Sequence, residues 1–149
     1  VEPFRRRGVL ASDLVQEANL AMMAYIKEKR WSNNSQWIEK IKEGIQEKKG
    51  KKIIVADLTS IEDTICKYFV ICQGNSPSQV SAIVDSIKEF TRKGADSKPY
   101  AIDGLRNAEW VAMDYADVLV HVFLPETRAF YNLEHLWADA KLTQIPDLD

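Results

Sequence analysis

Long hydrophobic runs are missing from this 149-residue chain. No stretch approaches the roughly 20 apolar residues that a membrane-spanning helix needs, and no secretory apolar core is legible. The expectation is a soluble, cytoplasmic protein with no membrane partner. Cysteine is scarce: Cys66 and Cys72 sit inside an apolar run without metal-ligand spacing, and read as reduced packing thiols. Histidine is scarcer in chemical context, because neither His121 nor His135 is spaced to a Ser or Cys nucleophile. Excess charge of either sign is also lacking. Twenty Lys and Arg against 22 Asp and Glu leave a net charge of −2, and so no basic surplus to grip a phosphate backbone. Direct nucleic-acid specificity is therefore not expected, and a basic protein suits this chain better as a partner.

What is present divides into three parts. Residues 1–35 form an N-terminal extension of unknown role, with a basic Arg5-Arg6-Arg7 run and an apolar stripe Leu10, Leu14, Ala18, Met22 that predicts a helix before a polar linker at 31–35. Residues 36–140 read as one domain, and 141–149 as a flexible tail. Within the domain, Trp37, Ile38, Ile41 and Ile45 recur at helical spacing after a Ser35 cap. Lys52–Leu58 and Tyr68–Gln73 are short β-branched strands. Ser76-Pro77-Ser78-Gln79 has the cap, the proline and the Gln of a capping box, and opens a helix expected to end at Gly94. A short strand at Tyr100–Asp103, two further strands, and a last helical region from Pro125 through Phe130, Leu133, Leu136 and Trp137 complete the order α-β-β-α-β-β-β-α. That order predicts an α/β (α+β) domain, a mixed β-sheet flanked by helices.

The segment Glu109–Pro125 concentrates unusual residues. Two alternating runs meet at Tyr115-Ala116-Asp117 and predict a tight antiparallel hairpin. Trp110, Ala112 and Asp114 share one face of the first run, and Val111, Met113 and Tyr115 the other. In the second run Val118, Val120 and Val122 oppose Leu119, His121 and Phe123. His121 on a strand that is apolar on both faces is either a hydrogen-bonded core residue or part of a contact patch with Asp114 or Tyr115. Trp110 is either core or the aromatic anchor of a protein interface.

Two enzymatic readings are weak on the same residues. Gly74-Asn75-Ser76 at a strand-to-helix turn suits an anion at helix amides, but it has one glycine and no Lys-Ser/Thr end, so it is not a P-loop. Asp57, Asp63, Asp85, Asp103, Asp114 and Asp117 are candidate metal carboxylates, but the only same-strand pair is Asp114 and Asp117, and three-residue spacing does not put both on one face of a strand. Asp117 is expected to satisfy backbone groups in the turn. A small metal-dependent nucleotide-binding or nucleotidyltransferase-like enzyme is thus the alternative reading, while no catalytic residue, metal or cofactor is assigned.

The span from about Trp37 to Trp137 resembles the ribosomal silencing factor family, also called Iojap-like proteins. The matching blocks are Ile54–Leu58, Asp63 through Cys72, Gly74-Asn75-Ser76 with Gln79-Val80, Asp103-Gly104-Leu105, and above all Trp110–Phe123, completed by Arg128, Tyr131, Leu133, Glu134, Leu136 and Trp137. The family often carries Gly where Ala116 stands, and residues 1–35 match nothing in it. The resemblance implies a nucleotidyltransferase-like layer fold without catalytic acids, and a translation repressor, not an enzyme. Its implied partner is the large ribosomal subunit, bound through the fourteenth ribosomal protein on the face that meets the small subunit. Subunit association is blocked there under nutrient limitation, and the free protein is implied to be a homodimer. Trp110 and Asp114 fall on the implied contact surface, with Val111, Tyr115, Asp117 and His121 as neighbouring candidates.

Overall fold

The computed structural model describes residues 35–61, 64, 66–135 and 140–148. The expectations for residues 1–34, Asp63, Leu136 and Trp137 lie outside the described residues. Among the described residues the first helix, α1, covers 35–47; Ser35 is already helical and so is not its N-cap. Strands β1 (Lys51–Asp57) and β2 (Tyr68–Gln73) follow, then helix α2 (Pro77–Ala95). Strands β3 (Ala101–Asp103), β4 (Trp110–Asp114) and β5 (Val118–Phe123) lead into the short helix α3 (Pro125–Tyr131), a 3-10 turn at Leu133–His135, and strand β6 (Lys141–Ile145).

The six strands form one sheet in the order β3-β4-β5-β2-β1-β6. Every pairing is antiparallel except β2 with β5, which run parallel with Tyr68 opposite Val118 and Gln73 opposite Phe123. A parallel pair needs a long crossover, and α2 lies within it. The expected mixed, helix-flanked α+β sheet is the fold observed.

Strand alternation sends each β5 residue to one of two cores. On one side Ile41 and Ile45 of α1 and Val80, Ile83, Val84 and Ile87 of α2 pack on Val111, Met113, Val118, Val120 and Val122. On the other Phe69, Ile71, Leu119, Phe123 and Leu133 form a smaller core, with Trp110 and Ala112 at its margin. All six β5 residues are buried, as a central strand covered on both faces requires.

The start of α2 follows its chemistry. Ser76 is extended, its Oγ accepts the Gln79 N–H (3.1 Å), and Gln79 Oε1 accepts from Asn75 N–H (2.7 Å), one residue before the position a regular capping box uses. Gln79 Nε2 also donates to the carbonyls of Lys48 and Lys49, tying this helix start to the end of α1.

Three expectations are corrected. Gly94 does not end α2, which continues to Ala95 and is capped by Asp96 in the left-handed region at φ 48°. A Cβ at Gly94 would lie 2.5 Å from the Lys40 side chain, a flexible neighbour that can move aside. The last helical region is interrupted: Asn132, at φ 50°, closes α3 with its N–H on the Arg128 carbonyl. Residues 141–148 of the expected 141–149 tail are not loose, since β6 pairs with β1 from Ile53↔Ile145 to Asp57↔Lys141. Leu148 O and Asp147 Oδ1 then accept from Lys51 Nζ (2.7 Å) and Lys52 N–H (2.8 Å), so the sheet extends past the expected boundary at 140.

Candidate functional site

The hairpin forms as the alternation requires, with Trp110 opposite Phe123 and Asp114 opposite Leu119. Its turn is held by three bonds. Tyr115 N–H donates to Val118 O (2.9 Å), Asp117 N–H to Tyr115 O (3.1 Å), and Ala116 N–H to Asp114 Oδ1 (2.9 Å). The bond from Asp117 back to Tyr115 spans Ala116, which sits at φ 75°, so this is a γ-turn of the rare, strained hand. Asp114 supplies a side-chain bond that supports the turn. Asp117 contributes its backbone carbonyl, accepting from Lys67 N–H (2.8 Å) and Tyr68 N–H (3.0 Å).

Trp110 and His121 come together on one face of the hairpin. The indole Nε1–H donates to His121 Nδ1 (3.1 Å). That bond places the ring proton of neutral His121 on Nε2. His121 is fully buried, with Phe69 edge-on at 4.9 Å, and burial holds its pKa far below the ordinary 6.5, at about 3. It is an uncharged core histidine. Trp110 is half-buried, stacked on Phe123 at 5.0 Å and tilted against Tyr131 of α3 at 4.7 Å.

Three of the six candidate contact residues are corrected by their depth. Val111, Tyr115 and His121 have at most 1% of their surface exposed, so none has a face to offer a partner. Val111 and Tyr115 point into the helix-side core, where the Tyr115 hydroxyl lies 2.9 Å from Thr91 Oγ1 near the end of α2. Burial raises the Tyr115 pKa, and the Thr91 hydrogen bond opposes that rise. Asp117 is almost buried as well, whereas Trp110 and Asp114 keep partial access at opposite ends of β4.

The structure adds residues that periodicity misassigned. The expected helical region does not run on from Phe130 through Leu133, because α3 ends between them. Phe130 is 82% exposed and Tyr131 46%. Their rings are 5.1 Å apart, and with Trp110 they make a continuous aromatic edge. The Asn in Tyr131-Asn132-Leu133 was the signal for that break, since Asn tolerates the left-handed cap.

The parts of the alternative enzymatic site do not meet. Gly74–Ser76 follows the carboxyl end of β2, while Asp117 bonds its amino end, roughly 17 Å of strand away. Among the described residues no group of three His, Cys, Asp or Glu could hold a metal. Cys66 and Cys72 are buried thiols, as expected, and burial pushes the Cys72 thiol up to about 12 against the opposing charge of Arg128.

The chain matches the family described as "Ribosomal silencing factor during starvation" over residues 32–149. It is 34% identical over 114 residues to the ribosomal silencing factor RsfS of Halalkalibacterium halodurans, covering 76% of this chain and 95% of that one. A mouse protein named for mitochondrial assembly of the ribosomal large subunit is 37% identical over 84 residues, 52% of this chain and 37% of its own. A crystal structure of a Chromobacterium violaceum protein superposes with a TM-score of 0.62 at 30% identity, covering 74% of this chain and 88% of that one.

Proposed function

The chain belongs to the ribosomal silencing factor family, and from that premise we propose that it binds the large ribosomal subunit and represses translation by keeping the small subunit away. The observation that carries this reading is the family match across 32–149, which spans every strand of the sheet. The family description couples silencing to starvation, and the mouse relative's name to the large subunit. The partner proposed here is that subunit's fourteenth protein, a basic protein on the joining face. The free protein is a cytoplasmic homodimer.

The aromatic edge of Trp110, Phe130 and Tyr131 supplies the contact. Glu109 and Glu126, both exposed, flank it at the junction where Leu124 N–H donates to the Glu109 carbonyl (2.9 Å). Carboxylates beside flat rings favour a surface of Lys and Arg, by steering the encounter and by cation–π contact once docked. Occupancy by a folded domain is enough to exclude the small subunit, so the mechanism calls for no bond chemistry and no cofactor.

The test is subunit re-association on sucrose gradients with wild type and Phe130→Ala. Wild type is expected to hold subunits apart. The variant, which loses an exposed ring, should need about tenfold more protein or greater. Trp110→Ala is the poorer probe, because removing a ring packed on Phe123 and Tyr131 costs about 3 kcal/mol of fold stability. Wild-type protein that leaves joining untouched would overturn the proposal.

A further inference from the structure

Helix α3 carries two of the three aromatic rings of the contact edge, yet it is short. Seven residues are too few for a self-supporting helix, and its N-cap, Leu124, makes no side-chain capping bond. Arg128 reaches from its middle into the sheet. Only 6% exposed, it donates through Nη1 to the Lys52 carbonyl (2.7 Å) and to Gln73 Oε1 (3.2 Å). Tyr131, three residues further on, then lies against Trp110.

The acceptor Lys52 is itself unusual. It stands at a β1 irregularity between Lys51 and Ile54, with φ at 54°. Its carbonyl is taken by Arg128 and its N–H by Asp147 Oδ1, in the segment after β6. Lys51 Nζ reaches Leu148 O beside it. A cavity of about 510 Å³, bounded by Arg128, Lys52, Gln73, Gln144 and Asp147 among others, lies next to these groups. The hydrogen bonds to Lys52 and Gln73 help to set where the guanidinium sits.

We propose that Arg128 is a positioning residue for the contact edge, and that Asp147 acts through it. Asp147 fixes the Lys52 bulge, the bulge fixes Arg128, and Arg128 fixes how Tyr131 lies on Trp110. The C-terminal segment thereby sets the affinity of a face on which it has no side chain. This inference rests on the reading that the Trp110–Tyr131 edge meets the ribosome.

Asp147→Ala, Asp147→Asn and Arg128→Lys separate the steps, because Asp147 is exposed and Asn keeps the acceptor for Lys52 N–H. Two readouts are taken on the full chain: the NMR resonance of the Trp110 indole N–H, and binding to purified bacterial large subunits. Expected are a shifted indole resonance and roughly three- to tenfold weaker binding for Asp147→Ala and Arg128→Lys, with Asp147→Asn near wild type on both. An indole resonance unmoved in Asp147→Ala and Arg128→Lys overturns the relay whatever the binding does. A shifted resonance with unchanged binding overturns the claim that the relay tunes affinity. If Phe130→Ala then also binds normally, the fault lies in the location of the contact edge.

Discussion

His121 keeps its neutral imidazole by lying out of water, and that sets a pH dependence. Its folded pKa of about 3 lies below the ordinary 6.5, so between these values the unfolded chain binds a proton that the native chain refuses. Stability is then fully present above pH 6.5 and falls with acidification, by up to about 1.4 kcal/mol per pH unit. His121→Asn keeps an acceptor for the Trp110 indole but removes the titration. Urea midpoints measured from pH 7 to 5 should fall more steeply for wild type than for the variant; parallel curves would rule out this role. Ala116 carries a different strain. At φ 75° its Cβ is disfavoured, and Ala116→Gly should raise stability by about 0.5–1 kcal/mol, read as a higher thermal midpoint. At this scale the sequence states direction well and depth poorly. Period-two alternation puts Trp110 with Asp114, Val111 with Tyr115 and His121 with Phe123, because successive strand side chains must point oppositely. It carries no measure of how much covers each face, so buried Tyr115 and half-buried Trp110 look alike as candidate contacts.

Between elements, backbone approach decides what a helix pair tolerates. A Cβ on Gly44 would stand 2.9 Å from Ile87 Cα and 3.1 Å from Ser86 O, where α1 meets α2. Ser86 Oγ donates to the Gly44 carbonyl at 2.7 Å across the same contact. Backbone cannot swing aside, so Gly44→Ala should separate the helices and cost about 2 kcal/mol or more. At Gly94 the obstructing atoms are the flexible Lys40 side chain, and Gly94→Ala should be neutral or gain up to about 1 kcal/mol of helix propensity. Chemical denaturation of the two variants tests the contrast, and equal effects would contradict it. The helices were legible because their apolar residues recur at 3.6 spacing over several turns. Gly44 was not, since a glycine chosen for a neighbour's backbone leaves no periodic trace. The end of α3 was missed for a related reason: an apolar count runs on through Asn132, while the left-handed cap stops the helix there.

For the whole molecule, the edge strand is where pattern reading fails and function depends on what was missed. Four of the five β6 residues are exposed, and Lys-Leu-Thr-Gln-Ile shows little of the apolar run that marks a buried strand. Its order comes from main-chain pairing with β1, which any sequence without an interior proline can supply. That pairing closes β1 against solvent, and an open, apolar edge is a template for another chain. Removing residues 141–149 should therefore do two things at once. It deletes the β1–β6 ladder and the Asp147 and Leu148 bonds, lowering stability by about 2–4 kcal/mol. It also bares Ile53 and Val55 on a new edge, so the shortened chain should elute larger as its concentration rises. Urea denaturation and concentration-dependent size exclusion check the two halves separately. A shortened chain with an unchanged midpoint would mean that β6 lies on the sheet without supporting it. The Asp147–Lys52–Arg128 connection would then lose its base as well, because a segment that contributes no stability cannot hold the bulge on which Arg128 rests.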